Sequence, residues 1–177
     1  MNASSGFTLV EMLIVTVIMG IAAAAIPMLS SNDPQKLSVA AEETTNLLRF
    51  ALSEARRSGG YVLVDGKSSA GQLSLYNSDS SGNLSSAITD PLTKRAATLD
   101  VTGNPFSQGV TLLPQFQAGG SPYAQLLIGP GITQLQVFNG ASTNIGVLQS
   151  GSGVLLNYGG QSVTVGINEL TGLVTLL

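Results

Sequence analysis

Glu11 is the residue whose setting most demands chemistry. It is the single charge in the 23-residue run from Phe7 to Leu29, FTLVEMLIVTVIMGIAAAAIPML. A carboxylate in hydrocarbon is expensive unless paired or protonated, so it marks a functional site by default. Nothing else in the run can neutralise it. The counter-charge has to come from a lipid head group, from another chain, or from a free amine generated nearby; the plain alternative is a carboxylate near a helix end that snorkels to water. Other chemistries are poorly served. Without Cys or His there is no thiolate or imidazole metal site and no common acyl-transfer triad, so an enzyme is not expected, nor a metal or cofactor. Asn77, Asp79, Ser81 and Gly82 echo a calcium loop, but the segment has one Asp, and Ile88 stands where a closing glutamate would. A plain solvated loop is the better reading.

The charge pattern narrows the partners. Charged residues make up only 10% of the chain, against about 25% in ordinary soluble domains. All seven Lys and Arg lie in the first 95 residues, and from Ala96 onward only Asp100 and Glu169 join the tyrosines as ionisable side chains. Nucleic acid is therefore disfavoured, since a phosphate-binding surface needs clustered cations. Arg56 and Arg57 suit the C-terminal end of a helix better than a binding patch. The absence of Cys leaves the redox compartment unread.

Several elements must position these residues. At about 1.5 Å per residue, a helix over 7–29 spans a hydrocarbon core of about 30 Å. A cleavable secretory signal usually has a shorter apolar stretch behind a basic start, and this run has neither Lys nor Arg before it. Pro27 removes one backbone hydrogen bond late in the run and can kink the helix. Asn32-Asp33-Pro34 reads as a helix restart, with Asp33 as cap and Pro34 in the first turn. From Leu37 to Ser58, small and apolar residues recur at helical spacing: Leu37, Ala40, Ala41, Thr44, Leu47, Leu48, Ala51, Leu52 and Ala55. That stripe needs a cover, and Gly59-Gly60 ends the helix.

Beyond Gly60 the period shortens to about two. Strands are expected at Tyr61–Asp65, Gln72–Tyr76, Ala97–Val101, Val110–Leu113, Gln125–Ile128, Gln134–Phe138, Val154–Tyr158, Ser162–Ile167 and Leu173–Leu176. Tyr158-Gly159-Gly160-Gln161 reads as a two-residue hairpin and Asn168–Gly172 as a looser one. Asn77–Ser86 reads as a loop; Gly119–Pro122 and Gly140–Gly153 read as connectors. The expected class is α+β: a long N-terminal helix, transmembrane then amphipathic, packed on an antiparallel head of two sheets.

Gly6-Phe7-Thr8-Leu9-Val10-Glu11, followed by the apolar run, resembles the processing signal of type IV pilins and pseudopilins. The resemblance implies that prepilin peptidase cuts after Gly6 and methylates the new N-terminus at Phe7. It implies four parts: a leader over 1–6, a transmembrane and assembly helix over 7–29, an amphipathic helix over 30–60 entering the head, and a β-rich head over 61–177. It also supplies a counter-charge, because the Phe7 ammonium of a neighbouring subunit would pair with Glu11 and set the register. Pro27 would permit local loosening of the packed helix. The leader departs from the family pattern in having no Lys or Arg.

The stretch from Leu47 to Gly59 further resembles the H-type minor pseudopilins and their FimT-like relatives. The implied role is a structural subunit of a type II secretion pseudopilus or type IV pilus. It would sit in the bacterial inner membrane with its head in the periplasm, and its partners would be other subunits, lipid and the inner-membrane assembly platform. A major pilin, or a component of a DNA-uptake pilus, is the alternative. The uptake reading fits poorly with a C-terminus that has no cation.

Overall fold

The computed structural model describes Val10, Met12–Val17, Met19 and residues 33–131, 135–140 and 143–177, and it falls into two compact units, Met1–Pro34 and Gln35–Leu177. The helical spacing noted above is realised in α1 (Asp33–Ser58). Leu37, Ala40, Ala41, Thr44, Leu48, Ala51, Leu52 and Ala55 are all buried, while Glu42, Asn46, Ser53 and Arg56 are exposed. Thr44 and Thr45 also lie inside, and each hydroxyl donates to the carbonyl four residues back, at 2.7 and 2.8 Å. That bond satisfies a hydroxyl which would otherwise be buried without a partner.

Twelve strands follow α1 among the described residues. A seven-stranded sheet has the order β3 (Leu84–Ala87), β2 (Gln72–Ser78), β1 (Tyr61–Asp65), β7 (Gln125–Ile128), β8 (Gln136–Phe138), β9 (Asn144–Val147), with β4 (Thr98–Asp100) also on β2. A five-stranded sheet has the order β12 (Val174–Leu176), β11 (Gln161–Ile167), β10 (Gly153–Tyr158), β5 (Thr111–Ala118), β6 (Ser121–Tyr123). The pairings are antiparallel.

One contiguous core joins α1 to both sheets, with Val62, Val64, Leu126 and Ile128 from the first and Leu112, Phe116, Leu156 and Val165 from the second. On the opposite face of β1 and β7, Leu63 and Leu127 pack with Phe138 in a second, smaller cluster. Both faces of these two strands are therefore covered, and their sequences, YVLVD and QLLI, carry consecutive apolar residues at Val62–Val64 and Leu126–Ile128 rather than alternating ones.

The helix runs alongside the second sheet. Near its start the Lys36 ammonium donates to the Tyr158 hydroxyl at 3.2 Å, and further on Arg49 donates to the Val174 carbonyl at 3.2 Å. These contacts are about 20 Å apart along a helix. That matches the roughly 20 Å strand length from Gln161, which follows the β10–β11 turn, to Ile167, which pairs with Val174. Arg49 also covers a carbonyl on the outer edge of β12, an edge that would otherwise be open to pairing with another chain.

Three strands stand where the sequence suggests loops. β3 begins inside the polar 77–86 segment and ends one residue past it, and all four of its residues are exposed. β9 falls inside the expected 140–153 connector and is interrupted by an irregular register. Both are edge strands with little core face, so no alternation of apolar residues announces them. β6 pairs with β5 around Gly119-Gly120, whose φ values of 56° and 80° form a tight hairpin turn of the primed kind. Its Pro122 disguises it, but an edge strand tolerates proline. β5 likewise continues past Pro114, because β6 covers only Phe116–Ala118 and Pro114 lies outside that pairing. The β10–β11 hairpin forms as expected around Gly159 and Gly160, with Tyr158 opposite Gln161.

Candidate functional site

Gly6, Phe7, Glu11 and Pro27 lie outside the described residues, as does the link over 20–32. What is described around Glu11 is helical: Val10, Met12–Val17 and Met19. Every large apolar side chain in that stretch is exposed, from 44% at Val15 to 69% at Met19. Thr16 turns its hydroxyl back to the carbonyls of Met12 and Leu13, at 3.0 and 2.9 Å. A helix that satisfies its own hydroxyl and presents apolar atoms outward is suited to hydrocarbon or to other helices, where no water can serve the polar atoms. Among the described residues no helix is long and apolar enough to cross a membrane; most of the 7–29 run lies outside them.

In the head, the acidic residues are largely committed to their own loops. Asp79 accepts from the Ser81 and Asn83 amides at 2.9 and 3.0 Å and from the Asn83 side chain at 2.7 Å. The carboxylate of the calcium-like segment is thereby used to close the β2–β3 turn. Asp100 accepts from the Thr102 and Gly103 amides, the Thr102 hydroxyl and the Gln72 side chain. Asp90 caps the turn before Arg95 through the Leu92 and Thr93 amides. Among the described residues, no group of three or more His, Cys, Asp or Glu stands where it could hold a metal ion.

A groove of about 910 Å³ runs between α1 and the 90–104 segment, with Glu43, Leu47, Phe50, Asp90, Arg95 and Asp100 among its lining. Glu43 holds the Asn104 amide nitrogen at 2.9 and 3.1 Å. Burial pushes its carboxyl above the usual range, the Asn104 hydrogen bond opposes that, and Glu42 adds to the rise. Asp79 and Asp100 are held below the usual range, chiefly by the Asn83 and Thr102 side chains respectively.

The signs of these shifts make a testable pattern. A lowered carboxylate stabilises the fold above its unfolded value, 3.8 for both aspartates, and that contribution is lost as pH falls through the folded value. Glu43 runs the other way: its contribution is full below 4.5 and is lost as pH rises through its higher folded value. A Glu43→Gln variant should gain thermal stability over the parent at neutral pH and match it near about pH 4. A gain of equal size at both pH values would contradict the assignment.

One polar network is not apparent in the sequence. Asp65, 2% exposed at the end of β1, accepts from the Lys67 amide at 3.0 Å, from Gln125 Nε2 at 2.9 Å and from the Ser68 hydroxyl. Gln125 in turn accepts from the Gly140 amide at 2.5 Å. Two loops are thus tied to the centre of the first sheet. Truncating Asp65 to Ala strands buried donors, a loss of about 2–3 kcal/mol, readable as a lower urea midpoint with an unchanged slope. The Lys36–Tyr158 contact was equally hidden, since nothing in the local pattern couples residues so far apart. Arg57, by contrast, meets Glu54 at 2.6 Å one turn back, and both it and Arg56 lie in the last turn of α1, as a helix terminus favours.

Residues 1–27 match the family model of the prokaryotic N-terminal methylation motif. No curated protein and no solved structure matches the chain. The N-terminus therefore carries a type IV prepilin-like signal, the kind that marks a chain for prepilin peptidase.

Proposed function

We propose that this chain is a structural filament subunit rather than an enzyme, and that it serves as an H-type minor pseudopilin of a type II secretion pseudopilus or a type IV pilus. The match of residues 1–27 to the methylation motif carries the reading. Prepilin peptidase cuts after Gly6 and methylates Phe7. The 7–29 helix anchors the chain in the inner membrane with the head on the periplasmic side, and the assembly platform then lifts it into the filament. There Glu11 meets the Phe7 ammonium of a neighbour.

Three features support it. The described part of the anchor presents apolar side chains throughout, and the head packs α1 against two antiparallel sheets, the α+β arrangement that the H-type resemblance implies. Asp79, Asp90 and Asp100 serve their own turns, which suits a structural role.

Mass spectrometry of the mature chain from cells tests the reading directly. The expected N-terminus is methylated Phe7. An intact Met1, or a cut beyond Leu29, would overturn the reading.

A further inference from the structure

The end of the head where α1 begins carries an exposed ring, Phe106, that neither the processing signal nor the core explains, together with Lys36 and a half-buried Tyr158 at the edge of the core. Three segments meet there: the first turns of α1, the 101–110 turns leading into β5, and the β10–β11 hairpin. The Tyr158 ring lies against Gly109. Its hydroxyl accepts from Lys36, whose ammonium is 5.1 Å from the ring centroid. Phe106 lies in the turn between Asn104, which binds Glu43, and Gly109, which meets Tyr158; it is 73% exposed. An exposed phenyl ring at the same end of the head as a Lys–Tyr pair has the composition of a bilayer interface, where apolar bodies sink and polar tips remain with the head groups.

The covalent chain supplies the second argument, which rests on the membrane-anchored reading above. The apolar run ends at Leu29, seven residues before Lys36. Lys36 then lies within about 24 Å of the hydrocarbon edge even if the link is fully extended, and nearer if it coils. A tether that short keeps the membrane surface at high effective concentration for this end of the head. The far end of the second sheet, at the β11–β12 hairpin, is about 20 Å further along the strands.

We propose that, before assembly, the head rests on the bilayer through this end. Phe106 enters the boundary between head groups and acyl chains, Tyr158 lies at head-group level, and the free N–H groups of Lys36 reach lipid phosphate. This holds the head in one orientation while the chain waits in the membrane.

The chain has no Trp, so single reporters are available at two equally exposed sites, Phe106 at 73% and Leu170 at 76%, toward opposite ends of the second sheet. Full-length F106W and L170W chains would be placed in phosphatidylcholine–phosphatidylglycerol vesicles containing a shallow spin-labelled lipid. The F106W chain should be quenched several-fold more strongly than L170W, with blue-shifted emission, and adding Lys36→Gln should weaken that quenching. Equal quenching in chains that resist alkaline extraction would overturn this proposal alone. Extraction of both chains by alkali would overturn the anchored reading and this proposal with it.

Discussion

A Glu11→Gln chain should be processed at Gly6 and reach the membrane in normal amounts, yet be nearly absent from filaments. The amide matches the carboxylate in size, so helix packing is preserved and only the charge is removed. In the proposed filament, the methylated Phe7 ammonium of a neighbour then sits in a water-poor helical bundle without a counter-charge. Removing one partner of a buried ion pair costs about 3–5 kcal/mol, because the remaining charge keeps its desolvation penalty. At roughly 1.4 kcal/mol per decade, that is more than a hundredfold in the equilibrium between membrane pool and filament. The measurement is the ratio of this chain in sheared or pulled-down filaments to that in membranes, native against variant. Equal ratios would remove Glu11 from the assembly mechanism while leaving the processing signal untouched.

Phe116→Ala should bring the largest loss of head stability. Phe116 sits at 0% exposure in β5, within the core that α1 shares with both sheets. Its removal forfeits burial and leaves a cavity that surrounding strands cannot close, a loss of about 3–5 kcal/mol. Against a total stability of about 5–15 kcal/mol for a domain of ordinary size, this is a large fraction. Urea unfolding of the solubilised chain reads it as a lowered midpoint. Phe106→Ala is the matched control: the same side chain is lost from a surface position, and the expected change is within about 0.5 kcal/mol. A comparable loss at both positions would mean that Phe106 is packed in solution and that the exposed end of the head is differently arranged.

Glu11 and Phe116 act in different parts of the molecule. Glu11 belongs to the segment whose work depends on other chains, and its variant leaves the head intact. Phe116 belongs to the head, and its variant leaves the methylation motif over 1–27 unchanged. A filament defect from Phe116→Ala without loss of the folded head would therefore point to a head surface that contacts neighbours.

Local pattern alone determined a good deal of this protein. The string from Gly6 to Glu11 and the apolar run behind it form a pattern of adjacent residues, and the methylation-motif match covers residues 1–27. The α1 stripe was legible because a helix covered on one side must repeat its apolar residues every three or four positions. β1, β7, β10 and β11 were legible because their apolar content and flanking glycines are local too. Tertiary structure alone decided the rest. β3, β6 and β9 are held chiefly by a neighbour's backbone, with Tyr123 and Ile145 alone among their side chains packing on the core, so their sequences lack a strand signature. Asp65 with Gln125, Lys36 with Tyr158 and Arg49 with Val174 pair residues 60, 122 and 125 positions apart. Backbone hydrogen bonds at a sheet edge accept almost any side chain, and contacts between distant segments depend on the order in which strands are laid side by side; neither leaves a periodic trace in the chain.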